Sequence, residues 1–375
     1  MSMVKLPGLK TIIESLSQER SLPESAVQNA LKEALKSGYE RYRRTQGKES
    51  TNFTEDYFDT FKVQLDLVGE GYRILAAKTV VEEVMEADKE VALKALSKIA
   101  VKAKLGDKIW VDVTPSQGDF GRLAALQTKQ VLTQKLQEQQ LKIVQEIFQP
   151  LRGTVQDARV HRIDRKSAIF ALNAGKGNPE VYAELPNYEK LHQDNYILGA
   201  TMKVYLKKVY DTPRQGPPLR VSRATTGLVA GMLTSLVPEI QQETIEITNI
   251  VRDSTPANPE IISHTKIAVN TAQSDIDPVS ICLGENSVNI AVISQELGGE
   301  KIEILRWSED PSVYIKNALI PATIQEVNIL DLEKQHAQVT VSVDQLSLAL
   351  GPEEQNVKLA SRLTGWKIDL ITGDT

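Results

Sequence analysis

Lysine, arginine and aromatic residues are interleaved between residues 150 and 225, a mixture that suits single-stranded RNA. Cations attract phosphates, and bases stack on exposed rings. This segment has 13 basic and 7 acidic residues, a net charge of +6, in a chain whose net charge is −5. The candidate RNA-binding cations are Arg162, Arg165, Lys166, Lys203, Lys207, Lys208 and Arg223. The rings among them are Phe170, Tyr182, Tyr188, Tyr196, Tyr205 and Tyr210, any of which could instead fill a domain core.

Two later loops have the layout of a phosphate clamp but an unusual composition. One reads Gly284, Glu285, Asn286, Ser287, and the other reads Gly351, Pro352, Glu353, Glu354. A Gly-X-X-Gly loop works because its glycines let the backbone approach phosphates, while amides and flanking cations attract them. Both fourth-position glycines are replaced here, and Pro352 lacks an amide donor. Glu353 and Glu354 would each repel a close phosphate by about 1 kcal/mol, so both clamps are predicted to be degenerate.

Residues suited to catalysis or metal binding are sparse. The histidines, at 161, 192, 264 and 336, lack metal-ligand spacing, and neither a GxxxxGK loop nor a GxSxG elbow occurs. The single cysteine, Cys282, excludes an internal disulfide and fits a reducing compartment. The sequence therefore predicts a protein without enzymatic activity, metal or cofactor.

Membrane association is not expected either. The apolar runs are shorter than a bilayer span, and the N-terminal MSMVKLPGLK lacks the apolar core of a signal peptide. We therefore expect a cytoplasmic protein. We also expect it to be a monomer.

Hydrophobic periodicity indicates the elements that position these residues. Residues 9 to 44 have helical spacing, residues 61 to 84 alternate as a hairpin that turns at Gly69–Gly71, and a long amphipathic helix is predicted from about 119 to 148. Five short strand patterns follow between 150 and 225, which is typical of a small closed barrel of the OB kind.

A repeated unit follows the predicted barrel. Residues 277–305 and 344–371 share one plan: an apolar helix, a glycine, a four-residue loop, a second helix and a strand. The two loop glycines are 67 positions apart, which indicates tandem copies of one module. A helix-loop-helix of this type beside a three-stranded sheet is the KH fold, whose loop holds about four nucleotides. The copies are acidic, with net charges of −7 for 226–308 and −5 for 309–375.

The chain resembles the NusA family of bacterial transcription elongation factors over essentially its whole length. The resemblance rests on KTVVEEV (78–84), DFGRLAALQTKQV (119–131), VPEI (237–240), GEKIEILRWSEDPSVYIKNALIPA (299–322), QLSLALG (345–351) and QNVKLASRLTGWKID (355–369). It implies a multidomain α+β protein: an α/β polymerase-binding N-terminal domain (1–149), an OB-fold RNA-binding domain (150–225) and two type II KH domains (226–308 and 309–375).

The resemblance also implies partners and function. Such a factor binds RNA polymerase near the RNA exit channel together with nascent RNA, and modulates pausing, termination and antitermination; other Nus-type factors are further candidate partners. By the same resemblance, Lys36, Arg122 and Lys129 face the emerging RNA hairpin. Arg122 and Lys129 are seven residues apart and would share one helix face.

Two questions stay open at the level of sequence. The acidic KH pair either serves as a spacer or protein-docking body, or still binds nucleotides weakly through stacking and amides. The rival functions are an RNA-degrading enzyme and an RNA-binding factor of ribosome assembly or translation without polymerase contact. Absence of a phosphorolytic core and the barrel-before-KH order speak against the first. The polymerase-binding pattern of residues 1–149 speaks against the second.

Overall fold

The computed structural model describes residues 3–20, 22–46, 55–97, 103–116, 122–173, 175, 180–212, 216–256, 258 and 260–373. Contacts divide the chain into two compact units. The first comprises Met1–Val144 with Asp211–Pro213, and the second comprises Gln145–Tyr210 with Arg214–Thr375.

A small mixed sheet forms the centre of the first unit. Its strands are β1 (Val4–Lys5), β2 (Phe61–Asp66), β3 (Gly71–Val81), β4 (Glu90–Ala92) and β5 (Lys108–Asp112). Strand β3 is central: β1, β2 and β5 pair with it antiparallel and β4 pairs with it parallel. The antiparallel β2–β3 pair confirms the predicted hairpin.

Within the described residues, five helices accompany this sheet. They are α1 (Leu9–Arg20), α2 (Glu24–Gln46), α3 (Glu55–Asp59), α4 (Leu93–Ser97) and the long α5 (Arg122–Phe148). One core joins α2 and α3 to the sheet through Tyr39, Phe58 and Ile74. Another joins α1, α2 and α5 through Ile13, Val27 and Leu136. The long predicted helix is confirmed from Arg122 onward, while residues 119–121 lie outside the described residues.

The second unit begins with the closed barrel that the strand spacing predicts. Its strands are β6 (Val155–Ile163), β7 (Ser167–Asn173), β8 (Glu180–Pro186), β9 (Thr201–Val209) and β10 (Leu219–Ser222), which close in the order β10-β8-β7-β6-β9. Val160, Phe170 and Leu206 fill its interior. A short 3-10 helix, Asn187–Glu189, follows β8.

Two copies of a helix-and-sheet module follow the barrel and confirm the predicted KH repeat. The first contains α6 (Thr226–Leu236), α7 (Pro238–Gln241), β11 (Glu246–Asp253), β12 (His264–Asn270), α8 (Pro278–Leu283), α9 (Val288–Glu296) and β13 (Lys301–Arg306). The second contains α10 (Pro311–Ala318), β14 (Ile324–Asp331), β15 (His336–Val341), α11 (Val343–Leu350), α12 (Gln355–Thr364) and β16 (Lys367–Thr372). In each sheet the first two strands are antiparallel and the third is parallel to the second.

The barrel and the two KH modules share hydrophobic cores. Leu191 of the barrel packs with Leu233 and Ile293 of the first KH module. Val251 and Ala268 of the first module pack with Leu359 of the second. Cys282 is fully buried in the first of these cores, and burial raises its thiol pKa to about 12, as expected for an inert cysteine.

Candidate nucleic-acid interface

The turn between β6 and β7 brings two of the predicted cations beside an exposed ring. The backbone N–H of Asn187 donates to the carbonyl of Lys166 at 3.1 Å, and its Nδ2 donates to the carbonyl of Arg165 at 2.9 Å. These bonds fix the turn against the 3-10 helix that carries Tyr188. Arg165 and Lys166 are exposed, and Tyr188 is 66% exposed. This combination offers charge for phosphates and a ring for a base.

The surface continues from Tyr188 onto β9 and β10. Arg220 donates from Nη1 to the Tyr188 hydroxyl at 3.2 Å, and it lies opposite Lys208 in the strand register. Both cations approach the ring of Tyr210: the Lys208 Nζ is 4.8 Å from the ring centre and the Arg220 Cζ is 5.7 Å away. We call this surface the basic-aromatic stripe; it comprises Arg165, Lys166, Tyr188, Arg220, Tyr210 and Lys208.

Three other predicted cations contact nearby carboxylates. Arg162 lies 2.9 Å from Asp164 and Lys203 lies 2.8 Å from Asp157, and all four side chains are substantially exposed. Lys207 contacts Glu189, whose carboxylate is buried and also accepts from the hydroxyl of Ser222 at 2.5 Å. Lys207 therefore neutralises a buried charge, while Arg162 and Lys203 remain accessible at the surface.

The structure contradicts the predicted RNA contact of Arg223. Its side chain is 0% exposed because it lies between the barrel and the first KH module. Nε and Nη2 donate to the two oxygens of Asp194 at 2.5 and 2.8 Å, and Nη1 lies 3.1 Å from Glu296. Burial alone would lower the guanidinium pKa, but hydrogen bonding and charge from Asp194 outweigh it and raise the pKa. Arg223 holds two domains together and cannot reach RNA.

The aromatic residues divide between the core and the surface. Phe170 is fully buried, and Tyr205 packs in the core that the barrel shares with the first KH module. Burial and the neighbouring Asp194 raise the hydroxyl pKa of Tyr196. Tyr182 is 42% exposed, with its ring centre 4.6 Å from that of His161.

Sequence reasoning missed Arg220 as a member of the stripe. Its signal was the basic residue in the last strand pattern, PPLRVSR. Its position beside Lys208 depends on strand register, which includes a bulge between Arg220 and Val221.

The hairpin-facing residues predicted in the first unit occupy two helices. Lys36, on α2, is partly buried and lies 3.4 Å from Asp59. Lys129 is exposed on α5. Arg122 begins the same helix, and its side chain lies outside the described residues. Their contact with an RNA hairpin stays a prediction.

The two KH loops keep a backbone with positive φ although the fourth-position glycine of each is replaced. Gly284 has φ +75° and Gly351 has φ +71°. Asn286 and Ser287 follow in the first loop with φ +52° and +59°, and Glu353 and Glu354 follow in the second with +48° and +61°. Such a conformation costs a non-glycine residue about 1–2 kcal/mol. Both loops thus adopt one bend although their side chains differ.

The acidic side chains of the second loop contact neighbouring polar groups. Glu354 lies 3.2 Å from the Nζ of Lys358, which also donates to the carbonyl of Glu353 at 2.9 Å. Asn258 donates from Nδ2 to the Glu353 carboxylate at 3.3 Å. The loop borders a groove of about 660 Å³, which Asp253 and Arg362 also line. Lys358, the lysine closest along the chain to this loop, therefore already forms an ion pair with Glu354.

Within the ranges that the structure describes, no group of three or more His, Cys, Asp and Glu side chains is placed to hold a metal ion. In the same part of the chain, no helix has the length and apolar character required to cross a membrane.

Comparison with known proteins identifies matches along the chain. Residues 8–142 match the model of the NusA N-terminal domain, residues 223–307 match the NusA-like first KH domain and residues 311–375 match the NusA-like second KH domain. The transcription termination/antitermination protein NusA of Halalkalibacterium halodurans is 34% identical over 358 residues, covering 96% of this chain and 86% of that protein. Proteins of the same description from Thermus thermophilus and Bacillus subtilis are 34% and 33% identical, each over 95% of this chain and over 87% and 88% of their own lengths.

Proposed function

The chain belongs to the NusA family, and on that premise we propose that it regulates transcription termination and antitermination by binding RNA polymerase and nascent RNA. The observation that carries the proposal is the match to curated family members over 95–96% of the chain, with the N-terminal and KH domains in family order. The N-terminal domain binds polymerase near the RNA exit channel, and Lys36, Arg122 and Lys129 face an RNA hairpin there.

The barrel supplies the main contact with single-stranded RNA through the basic-aromatic stripe. Support comes from the net charge of +6 over residues 150–225, because RNA affinity follows the number of phosphates that cations neutralise. The KH pair, with a net charge of −12, contributes a weaker contact or docks a protein partner. The factor acts in the cytoplasm as a non-catalytic monomer, with other Nus-type factors as further partners.

Transcription by bacterial RNA polymerase on a template with a hairpin pause and an intrinsic terminator tests this proposal. We expect the full chain to change pause duration and the fraction of terminated transcripts. The double variant Arg165→Gln/Lys166→Gln removes two phosphate-binding charges from the stripe. It should weaken RNA binding about tenfold at moderate ionic strength and lower the salt slope by about 1.4, while leaving polymerase binding unchanged.

Lys10→Gln is a control for loss of a single positive charge outside the stripe, because Lys10 is exposed on α1 and its Nζ lies 3.8 Å from Glu14. It should behave as the unaltered chain in both assays. A chain that co-purifies with ribosomes and leaves elongation unchanged would overturn the proposal in favour of a translation factor. If the double variant keeps full RNA affinity, the stripe is not the RNA contact.

A further inference from the structure

The outward face of the sheet in the first unit carries an exposed tryptophan and a row of cations. Side chains alternate across a strand, and along β3 the buried residues Tyr72, Ile74 and Ala76 point into the core. Arg73, Leu75, Ala77 and Thr79 therefore point away from it. The helical cores use Val63 and Leu65 of β2, which leaves Lys62 and Gln64 on the outward face.

Strand register aligns these side chains into successive levels. Arg73 lies opposite Gln64, and Leu75 lies between Lys62 and Asp112. Ala77 lies opposite Trp110, and Thr79 lies between Lys108 and Glu90. Moving along β3, the levels thus present Arg73, then Lys62, then Trp110, then Lys108. Each level is two residues further on, or about 6.8 Å along the strand. Successive phosphates of an extended single strand can match such a spacing.

The tryptophan is accessible at the centre of this row. Trp110 is 47% exposed, and the Lys62 Nζ lies 3.9 Å from the centre of its ring. Lys62 reaches the ring diagonally across β3, where the opposite residue is the small Ala77. A cation over the indole shows that this ring face accepts a flat or charged partner.

Cations outnumber carboxylates on this face. The levels carry three cations and two carboxylates, Asp112 and Glu90. The backbone N–H groups of Met85 and Glu86 donate to the Glu90 carboxylate at 2.7 and 3.0 Å. One oxygen of Asp112 accepts from both the hydroxyl and the backbone N–H of Thr114, at 2.5 and 3.0 Å. A single exposed hydrophobic side chain is unremarkable by itself. An exposed indole flanked by cations is a combination that suits single-stranded nucleic acid.

We propose that this sheet face binds single-stranded RNA, with one base stacked on Trp110 and neighbouring phosphates on Arg73, Lys62 and Lys108. Lys62 leaves the ring when the base stacks and pairs with a phosphate instead. The site shares no residue with the stripe or with the set Lys36, Arg122 and Lys129. It provides the N-terminal domain with a binding site for unpaired RNA.

Intrinsic fluorescence of the full chain provides a local test, with a six-residue oligouridylate as the probe. The chain has three tryptophans. Trp366 is buried and Trp307 packs against the same core of the second KH module, so a stacked base should quench mainly Trp110. We expect saturable quenching in the unaltered chain and its loss in Trp110→Phe. Trp110→Ala should weaken oligonucleotide binding in this unit about tenfold, the typical effect of losing one stacking ring.

Charge variants test the phosphate contacts separately. Lys62→Gln/Lys108→Gln should retain the quenching amplitude at saturation, shift its midpoint to higher oligonucleotide concentration and reduce its salt slope by about 1.4. Lys10→Gln should leave the midpoint unchanged. Circular dichroism of each variant confirms folding before the titration.

Three outcomes would overturn the site: unaltered quenching in Trp110→Phe, oligonucleotide binding without quenching in the unaltered chain, or quenching by polymerase and not by RNA. The last would identify a protein contact. Arg165→Gln/Lys166→Gln should not alter the quenching, so a failure of the stripe and a failure of this site are distinguishable.

Discussion

The barrel and the KH pair, the two candidate RNA-binding regions of the second unit, differ in surface charge and in the residues at their candidate contacts. The barrel has cations and rings on its surface, including Arg165, Lys166 and Tyr188 around one 3-10 helix. The KH pair keeps the bend of two clamp loops, but Ser287 and Glu354 replace glycine at left-handed positions. Backbone geometry and surface charge can therefore vary separately, because different residues determine them.

The KH loops show this separation most clearly. Each contains two consecutive non-glycine residues at positive φ, a conformation that surrounding packing must impose. Asn356 supplies part of that packing: it is 2% exposed, and its Nδ2 donates to the carbonyl of Ala349 at 3.1 Å. The loop is thus built into the module's core, whereas the charge of its exposed side chains is free to vary.

The largest predicted effect concerns Arg223. Its position in the sequence assigns it to the barrel, but its side chain is buried at the junction with the first KH module. Arg223→Met should destabilise the second unit by about 3–5 kcal/mol, because Asp194 would remain buried without its partner. Arg223→Lys should also destabilise it, since an ammonium cannot form the bidentate pair. Thermal unfolding of the full chain followed by circular dichroism measures both changes.

Arg162→Met is the matched control for this substitution. Arg162 is 64% exposed and lies 2.9 Å from Asp164, so its loss should cost less than about 1 kcal/mol. RNA binding at a temperature where Arg223→Met is still folded should equal that of the unaltered chain. Reduced RNA affinity in the folded variant, without a lower unfolding temperature, would indicate that Arg223 contacts RNA directly.

A smaller effect is expected at Tyr188, the more exposed ring of the stripe. Tyr188→Ala should weaken RNA binding by about 1–2 kcal/mol, while Tyr188→Phe should retain most of the affinity, because stacking needs the ring and not the hydroxyl. Filter binding with an unstructured oligonucleotide measures both. Tyr182→Ala is the control in the same barrel, since Tyr182 is exposed but stacks with His161. Equal losses at both tyrosines would contradict a binding surface confined to the stripe.

The sequence was sufficient for the elements and their order because these follow from hydrophobic period and turn residues. The hairpin at Gly69–Gly71, the helix ending near Phe148, the five-stranded barrel and the KH repeat all follow from such patterns. The net charges, +6 for residues 150–225 and −12 for residues 226–375, likewise distinguish the barrel from the KH pair by sequence alone.

Individual site residues were less predictable because a side chain's role depends on what lies across from it. Arg223 and Lys208 both end basic strand segments, yet one is 0% exposed beside Asp194 and the other lies exposed beside Tyr210. The acids that bury Arg223, at 194 and 296, come from distant parts of the chain. Trp110 was likewise not distinguishable from a core residue until the register of β5 placed it on the outward face.

The smallest predicted effect tests whether charge alone separates the KH loops from working clamps. Glu354→Gly removes a carboxylate and relieves a left-handed residue, whereas Ser287→Gly relieves the matching residue of the first loop without changing charge.

In an Arg165→Gln/Lys166→Gln background, which weakens the stripe, Glu354→Gly should raise RNA affinity about fivefold, because about 1 kcal/mol of repulsion is lost and Lys358 is released from its ion pair. Ser287→Gly should change affinity less than about twofold. Equal gains would assign the weak binding to loop strain and not to charge. No gain in either variant would mean that the loops have lost RNA for a reason beyond these residues, and a protein partner for the KH pair would then be the stronger interpretation. The two variants therefore separate the effect of charge on RNA affinity from the effect of backbone strain, at two loops of the same geometry.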